Sequence, residues 1–119
     1  MTPQAEKLLT EATELDLTTT GRTSGEPRTV ELWFAYDEGY VYFLTGDTHW
    51  GRNLEAHPEA TLRIKRRRFN ARLEPVAEAE GASVKAHIIA LFRVKYGDET
   101  VGQWYAGREH TPIKLRVLS

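Results

Sequence analysis

The chain has 119 residues, of which 40% are hydrophobic and 28% charged, with a formal net charge of −1; it reads as one globular domain, residues 1–119, long enough to bury a core. It has no cysteine, which excludes disulfides, thiolate catalysis and cysteine-based zinc sites and fits a reducing cytoplasm. Nearly balanced charge gives no general pull toward nucleic acid or a membrane surface, and the opening stretch MTPQAEKLLTEATEL lacks the apolar run of a signal peptide or a membrane span.

In chain order, Pro3 to about Glu14 has a proline early and Leu8, Leu9 and Ala12 on one side, which predicts a helix with a thin apolar face over a sheet edge. Leu15 to Thr20 alternates Leu15, Leu17 and Thr19 with Asp16, Thr18 and Thr20, the period of a strand with one buried face. A connector follows, Gly21-Arg22-Thr23-Ser24-Gly25-Glu26-Pro27-Arg28. Its glycines allow the backbone to turn and expose amides, while two forked guanidinium groups and a hydroxyl suit an anion. It is neither a P-loop nor the dinucleotide fingerprint, so spacing alone leaves two readings open, a solvated glycine-rich hairpin and a phosphate cradle.

Arg28 to Tyr36 and Tyr40 to Thr45 read as a hairpin closed by Asp37-Glu38-Gly39. Val30, Leu32, Phe34 and Tyr36 line one face and Trp33 and Ala35 the other, so both faces need cover, which a helix, a ligand or a second subunit could supply. We expect the second subunit, hence a homodimer. Gly46 to Pro58 predicts a short helix capped by Asp47 or Thr48, with Trp50 and Leu54 on one side. Its N-terminus would turn amides toward whatever lies past the strand. Ala60-Leu62-Ile64, Phe69-Ala71-Leu73 and Ile113-Leu115-Val117 alternate with charged neighbours, as strands with one dry side do. Gly81 to Tyr96 predicts a long helix bearing Val84, Ile88, Ile89, Leu91 and Phe92. The fold class is therefore mainly β (α+β), a six-stranded antiparallel split β-barrel with flanking helices.

Other chemistry has less support. His49, His57, His87 and His110 lack metal-ligand spacing, so no metal site is expected, and the serines lack a nucleophile elbow. Lys65-Arg66-Arg67-Arg68 reads as a solvated hairpin tip more readily than as a nucleic-acid contact, because no aromatic platform interleaves with it; it could also supply charge to an anionic cofactor tail. Trp104 and Tyr105, within Gln103-Trp104-Tyr105-Ala106-Gly107, either cap the barrel mouth or cover a planar substrate.

Together, Thr19-Thr20-Gly21-Arg22-Thr23-Ser24-Gly25-Glu26-Pro27-Arg28, Leu32-Trp33-Phe34 and Trp50-Gly51-Arg52-Asn53-Leu54-Glu55-Ala56-His57-Pro58 resemble the split β-barrel flavin and deazaflavin oxidoreductases, in particular the deazaflavin-dependent nitroreductase and quinone reductase branch. The resemblance implies that Arg22, Ser24, Gly25 and Arg28 hold a cofactor phosphate, and that Leu32, Thr45, Gly46, Trp50 and Asn53 position its ring. It implies coenzyme F420, a deazaflavin, with FMN as the alternative, and a small planar acceptor such as a quinone or nitroaromatic. A non-catalytic split-barrel binding protein is the other function considered. Because the cofactor transfers the hydride, no side chain has to act as acid, base or nucleophile. Two positions depart from the branch: Thr23 stands where a lysine is common, and Gly51 where a tyrosine is often found, which opens space near the ring or removes a packing contact.

Overall fold

The computed structural model describes residues 1–105 and 110–119, with the side chains of Trp104 and Tyr105 left outside that set. The elements run α1 (Pro3–Glu11), β1 (Glu14–Thr20), β2 (Pro27–Trp33), β3 (Ala35–Asp37), β4 (Tyr40–Thr45), α2 (His49–Ala56), β5 (Glu59–Ile64), β6 (Arg67–Leu73), α3 (Gly81–Tyr96), α4 (Asp98–Tyr105) and β7 (Thr111–Val117). A 3-10 turn, Glu78–Glu80, leads into α3.

All seven strands form one antiparallel sheet ordered β2-β1-β5-β6-β7-β4-β3. Its two edges, β2 and β3, are consecutive in the chain and separated only by Phe34. A flat sheet of this width would hold its edges roughly 29 Å apart, at about 4.8 Å per strand. One linking residue leaves at most about 7 Å between the flanking Cα atoms. The sheet must therefore curl until its edges meet, which gives a split barrel.

This joint corrects the expectation of six strands. Arg28 to Tyr36 is not one strand: β2 pairs with β1 and β3 pairs with β4. Phe34 turns its backbone to α3 instead. Its N–H donates to the Tyr96 hydroxyl at 3.2 Å, and its carbonyl accepts from that hydroxyl and from Lys95 Nζ, both at 3.0 Å. The same hydroxyl lies 2.6 Å from the Thr13 carbonyl. Phe34 itself is fully buried, and Lys95 Nζ sits 3.6 Å from its ring centroid. Burial pushes the Lys95 amine down to about 8, while the carbonyl and ring face favour its charged form.

The barrel interior is filled by Leu17, Val41, Phe43, Leu62, Phe69 and Leu115, with α1 adding Leu9 and α2 adding Leu54. Burying each large side chain contributes about 1.5 to 3 kcal/mol. α1 ends at Glu11, three residues earlier than the periodicity suggests, and starts on Thr2, whose Oγ1 accepts the Ala5 N–H at 3.1 Å. Outside the barrel, Ile88 and Phe92 of α3 pack on Ala35 and Tyr42, joined by Val101 of α4. The outer face of the β3–β4 hairpin is thus covered by this chain's own helix, not by a second subunit as expected. His87 supports that packing, with its Nε2 3.0 Å from Asp37 Oδ2 and its ring edge-on to Tyr42. No helix among the described residues is long and apolar enough to cross a membrane.

Candidate functional site

β1 and β2 run antiparallel to the pair Thr20 and Pro27, and the chain between them folds on itself. Gly21 donates its N–H to the Glu26 carbonyl at 2.7 Å, and Gly25 donates to the Gly21 carbonyl at 2.8 Å. The Glu26 N–H is taken by Ser24 Oγ at 3.2 Å. A Cβ at Gly21 would lie 2.5 Å from Ser24 Oγ and 3.2 Å from the Glu26 carbonyl oxygen, and Gly25 sits at φ +72°. The two glycines are therefore what lets the connector close this tightly.

α2 lies beside the connector. Thr48 caps it, Oγ1 accepting the Gly51 N–H at 3.2 Å, and His49 and Asn53 share one side at i, i+4. Asn53, only 3% exposed, joins the two segments. Its Oδ1 accepts the Arg22 backbone N–H at 3.1 Å and Arg22 Nη1 at 2.9 Å, and its Nδ2 donates to Thr19 Oγ1 at 3.3 Å. Arg22 Nη2 lies 3.2 Å from His49 Nδ1, and its Nη1 reaches the His49 carbonyl at 3.5 Å. The Arg22 guanidinium is fixed in place before any ligand arrives.

These residues line a groove of about 500 Å³ together with Thr23, Ser24, Arg28, Thr29, Val30 and Trp50. The volume suits a small-molecule site. The Arg28 guanidinium makes no hydrogen bond or ion pair among the described residues, so both of its forked donor edges are available. Val30, two residues along the same face of β2, and Trp50, edge-on to Phe43 at 5.5 Å between centroids, supply an apolar wall next to the cations. A cationic end and an apolar wall together fit a planar molecule with an anionic tail.

Of the residues picked from sequence, Arg22, Ser24, Arg28, Trp50 and Asn53 meet in this groove. Gly25 lies on its other side, beside Thr20 and Pro27. Leu32 packs against the barrel core. Thr45 and Gly46 line a smaller hollow of about 190 Å³ across α2, with Asp47, Thr48, Gly51 and Arg52. Gly51 belongs to that hollow too, where a Cβ would stand 3.1 Å from Thr48 Oγ1, so the missing tyrosine does not open the Arg22 groove. The α2 N-terminus already carries an acid: Asp47 pairs with Arg52, whose hydrogen bond holds the Asp47 carboxyl below the usual carboxylate range. The basic turn does not join the cradle. Lys65 and Arg66 follow the far end of β5, whereas Thr19 and Thr20 lie at its Glu59 end, about 16 Å away over five strand residues. Trp104 and Tyr105 close α4, and their side chains lie outside the described residues.

His49 lacks metal-ligand spacing in the sequence, and the local signal for its place in the groove is its i, i+4 relation to Asn53.

The family model for F420H(2)-dependent quinone reductases matches residues 4–118, nearly the whole chain. The chain belongs to that family. It is accordingly an oxidoreductase, using the deazaflavin coenzyme F420 to reduce quinone-like acceptors. Solved structures share this chain's fold at low identity. A FAD-binding protein from Mesorhizobium loti aligns with TM-score 0.73 and 14% identity over 100% of this chain and 91% of its own. An F420H2-dependent reductase, FDR-A, aligns with TM-score 0.61 and 20% identity over 87% and 94%. A structure described as a domain-swapped dimer aligns with TM-score 0.62 and 19% identity over 95% and 94%.

Proposed function

We propose that the groove between the connector and α2 holds the phosphate-bearing tail of coenzyme F420, with the ring system against Val30 and Trp50. The observation that carries this reading is the pairing of a braced guanidinium, Arg22, with Arg28, whose guanidinium has no partner among the described residues, along one groove. Arg28 would take the phosphate as a forked donor, with Ser24 adding a hydroxyl and the Gly25 turn holding the backbone close. Asn53 would act through Arg22, and only secondarily on the ring. Leu32, Thr45 and Gly46 remain proposed ring contacts through their backbone, and Trp104 and Tyr105 proposed contacts of the acceptor. When bound, the reduced deazaflavin supplies the hydride. The protein's share is to orient the ring, exclude water along the Val30 and Trp50 wall, and neutralise the tail.

The test is anaerobic mixing of the protein with reduced F420 and a benzoquinone, following the return of oxidised deazaflavin absorbance. Saturable turnover above the protein-free rate supports the reading; turnover with reduced FMN but not with reduced F420 would move the assignment to the flavin. We also propose that the protein works as a homodimer, a reading favoured by the fold relative described as a domain-swapped dimer, and that it works in the cytoplasm, which its lack of cysteine suits.

A further inference from the structure

The outward sheet face formed by β2, β1, β5 and β6 carries no helix among the described residues: α3 packs over β3, β4 and β7, α1 against β3, and α2 meets β1 from the inward side, where Asn53 reaches the buried Thr19. Strand register sets four charged residues of this face in one straight row. Asp16 pairs directly with Glu31 on one side and with Arg63 on the other, and Arg63 pairs with Arg68. Read across the sheet, the row is Glu31, Asp16, Arg63, Arg68: two acids, then two bases.

Only the middle of this row is balanced within the chain, where Arg63 Nη2 meets Asp16 Oδ2 at 2.8 Å. Each outer pair sets like charges directly opposite one another, an arrangement that destabilises a sheet. Glu31 also has Glu14 beside it, which holds the Glu31 carboxyl above its usual range. Arg68 has no ion-pair partner among the described residues. The next row is neutral and compact: Thr29, Thr18, Thr61 and Asn70, with the Thr18 and Thr29 hydroxyls bonded to each other at 2.8 Å. Hydroxyls already satisfied by one another lose little when water leaves. Between the two rows lies a shallow depression of about 440 Å³ lined by Asp16, Thr18, Thr29, Thr61, Arg63 and Arg68.

A row of two acids followed by two bases is its own complement. Rotated half a turn about an axis that lies in the interface, parallel to the strands and midway between Asp16 and Arg63, a second copy turns this same face toward the first, sets its Arg68 over Glu31 and its Arg63 over Asp16, and receives the reciprocal pairs. Such an isologous contact uses the same patch twice and closes as a dimer. We propose that the β2-β1-β5-β6 face is a homodimer interface, occupied by a second copy of this chain in two-fold register along the charged row. The proposal rests on the homodimer reading above and moves the contact from the β3–β4 hairpin, which α3 covers, to the opposite face. A reciprocal network of this kind gains more than isolated surface ion pairs do, and it selects register through like-charge repulsion.

Two paired variants test it by light scattering after size-exclusion chromatography. Asp16→Lys with Glu31→Lys makes the row wholly positive, and Arg63→Glu with Arg68→Glu makes it wholly negative. Each double variant alone should be monomeric, its dimer dissociation constant raised about tenfold or more. An equimolar mixture of the two should recover the dimer mass, which also shows that both fold. Wild-type dimer should dissociate in about 1 M salt, where the screening length is about 3 Å. Double variants that dimerise as wild type does, a mixture that stays monomeric, or a dimer indifferent to salt would overturn this interface while leaving the homodimer reading intact. A wild-type monomer at all concentrations would overturn both.

Discussion

Replacing Asn53 with alanine should separate the connector from α2. The side chain is 3% exposed and serves three partners: the Arg22 N–H at 3.1 Å, Arg22 Nη1 at 2.9 Å and Thr19 Oγ1 at 3.3 Å. The guanidinium is exposed and can find water, so its loss costs little stability. The Arg22 amide is partly buried and Thr19 is 2% exposed; leaving their polar groups short of a partner costs about 1 to 2 kcal/mol each. The expected loss is thus about 2 to 4 kcal/mol, and with a urea slope of about 1.5 kcal/mol per molar the midpoint should fall by roughly 1.3 to 2.7 M. Asn53→Asp is the companion. It keeps the acceptor for Arg22 and loses the donor to Thr19, and its carboxylate neutralises the Arg22 charge, so F420 affinity should fall about tenfold even where stability is partly kept. Urea titration monitored by tryptophan fluorescence gives the first quantity and deazaflavin fluorescence titration the second. An alanine variant with an unmoved midpoint and unchanged F420 affinity would refute the argument.

Three further outcomes follow from local geometry. Lys95 titrates near 8 when folded and near 10.5 when unfolded, so between those values the unfolded chain binds more protons and stability should rise with pH. Discounted for its partial exposure and for the Phe34 ring, the gain is about 1 kcal/mol; urea midpoints at pH 7.5 and 9.5 measure it, and an equal rise in Lys95→Met would contradict the assignment. Gly21→Ala sets a methyl 2.5 Å from Ser24 Oγ and should weaken F420 binding several-fold through a displaced connector, which the same fluorescence titration reads. Lys65 holds φ +56° at the β5–β6 turn, so Lys65→Gly should stabilise by about 1 kcal/mol in thermal unfolding; a lowered midpoint would count against the turn geometry.

The β1, β5, β6 and β7 strands were legible because each keeps a clean two-residue period over a single buried face, and β4, buried on both faces, because its aromatic run follows the Asp37-Glu38-Gly39 turn. α3 was legible to its last residue, Tyr96, where Gly97 takes φ +93°. The break at Phe34 was not legible. Val30, Leu32, Phe34 and Tyr36 all meet the barrel core, so the alternation runs through the joint without a signal. What makes the break is tertiary, the Tyr96 hydroxyl and Lys95 amine capping the Phe34 backbone from sixty-odd residues away. α4 was not legible for a related reason: its only local signal is the acidic first turn of Asp98 and Glu99, just after Gly97 ends α3. At the site, the chemistry of Gly21 to Arg28 and of Trp50 to Asn53 was visible residue by residue. The link between them was not, because an Asn side chain bridging thirty-one positions to Arg22 leaves no local pattern.

The most direct measurement is a four-cornered binding cycle. F420 and a deazaflavin lacking the phosphate tail are each titrated into wild type and Arg28→Ala, at one fixed ionic strength. A lost charge-assisted contact of about 1.5 to 3 kcal/mol predicts at least a tenfold weaker grip on F420 in the variant, and no change for the tail-less ring. Equal losses for both ligands, or no loss for either, would contradict the assignment of this groove to the cofactor's anionic tail.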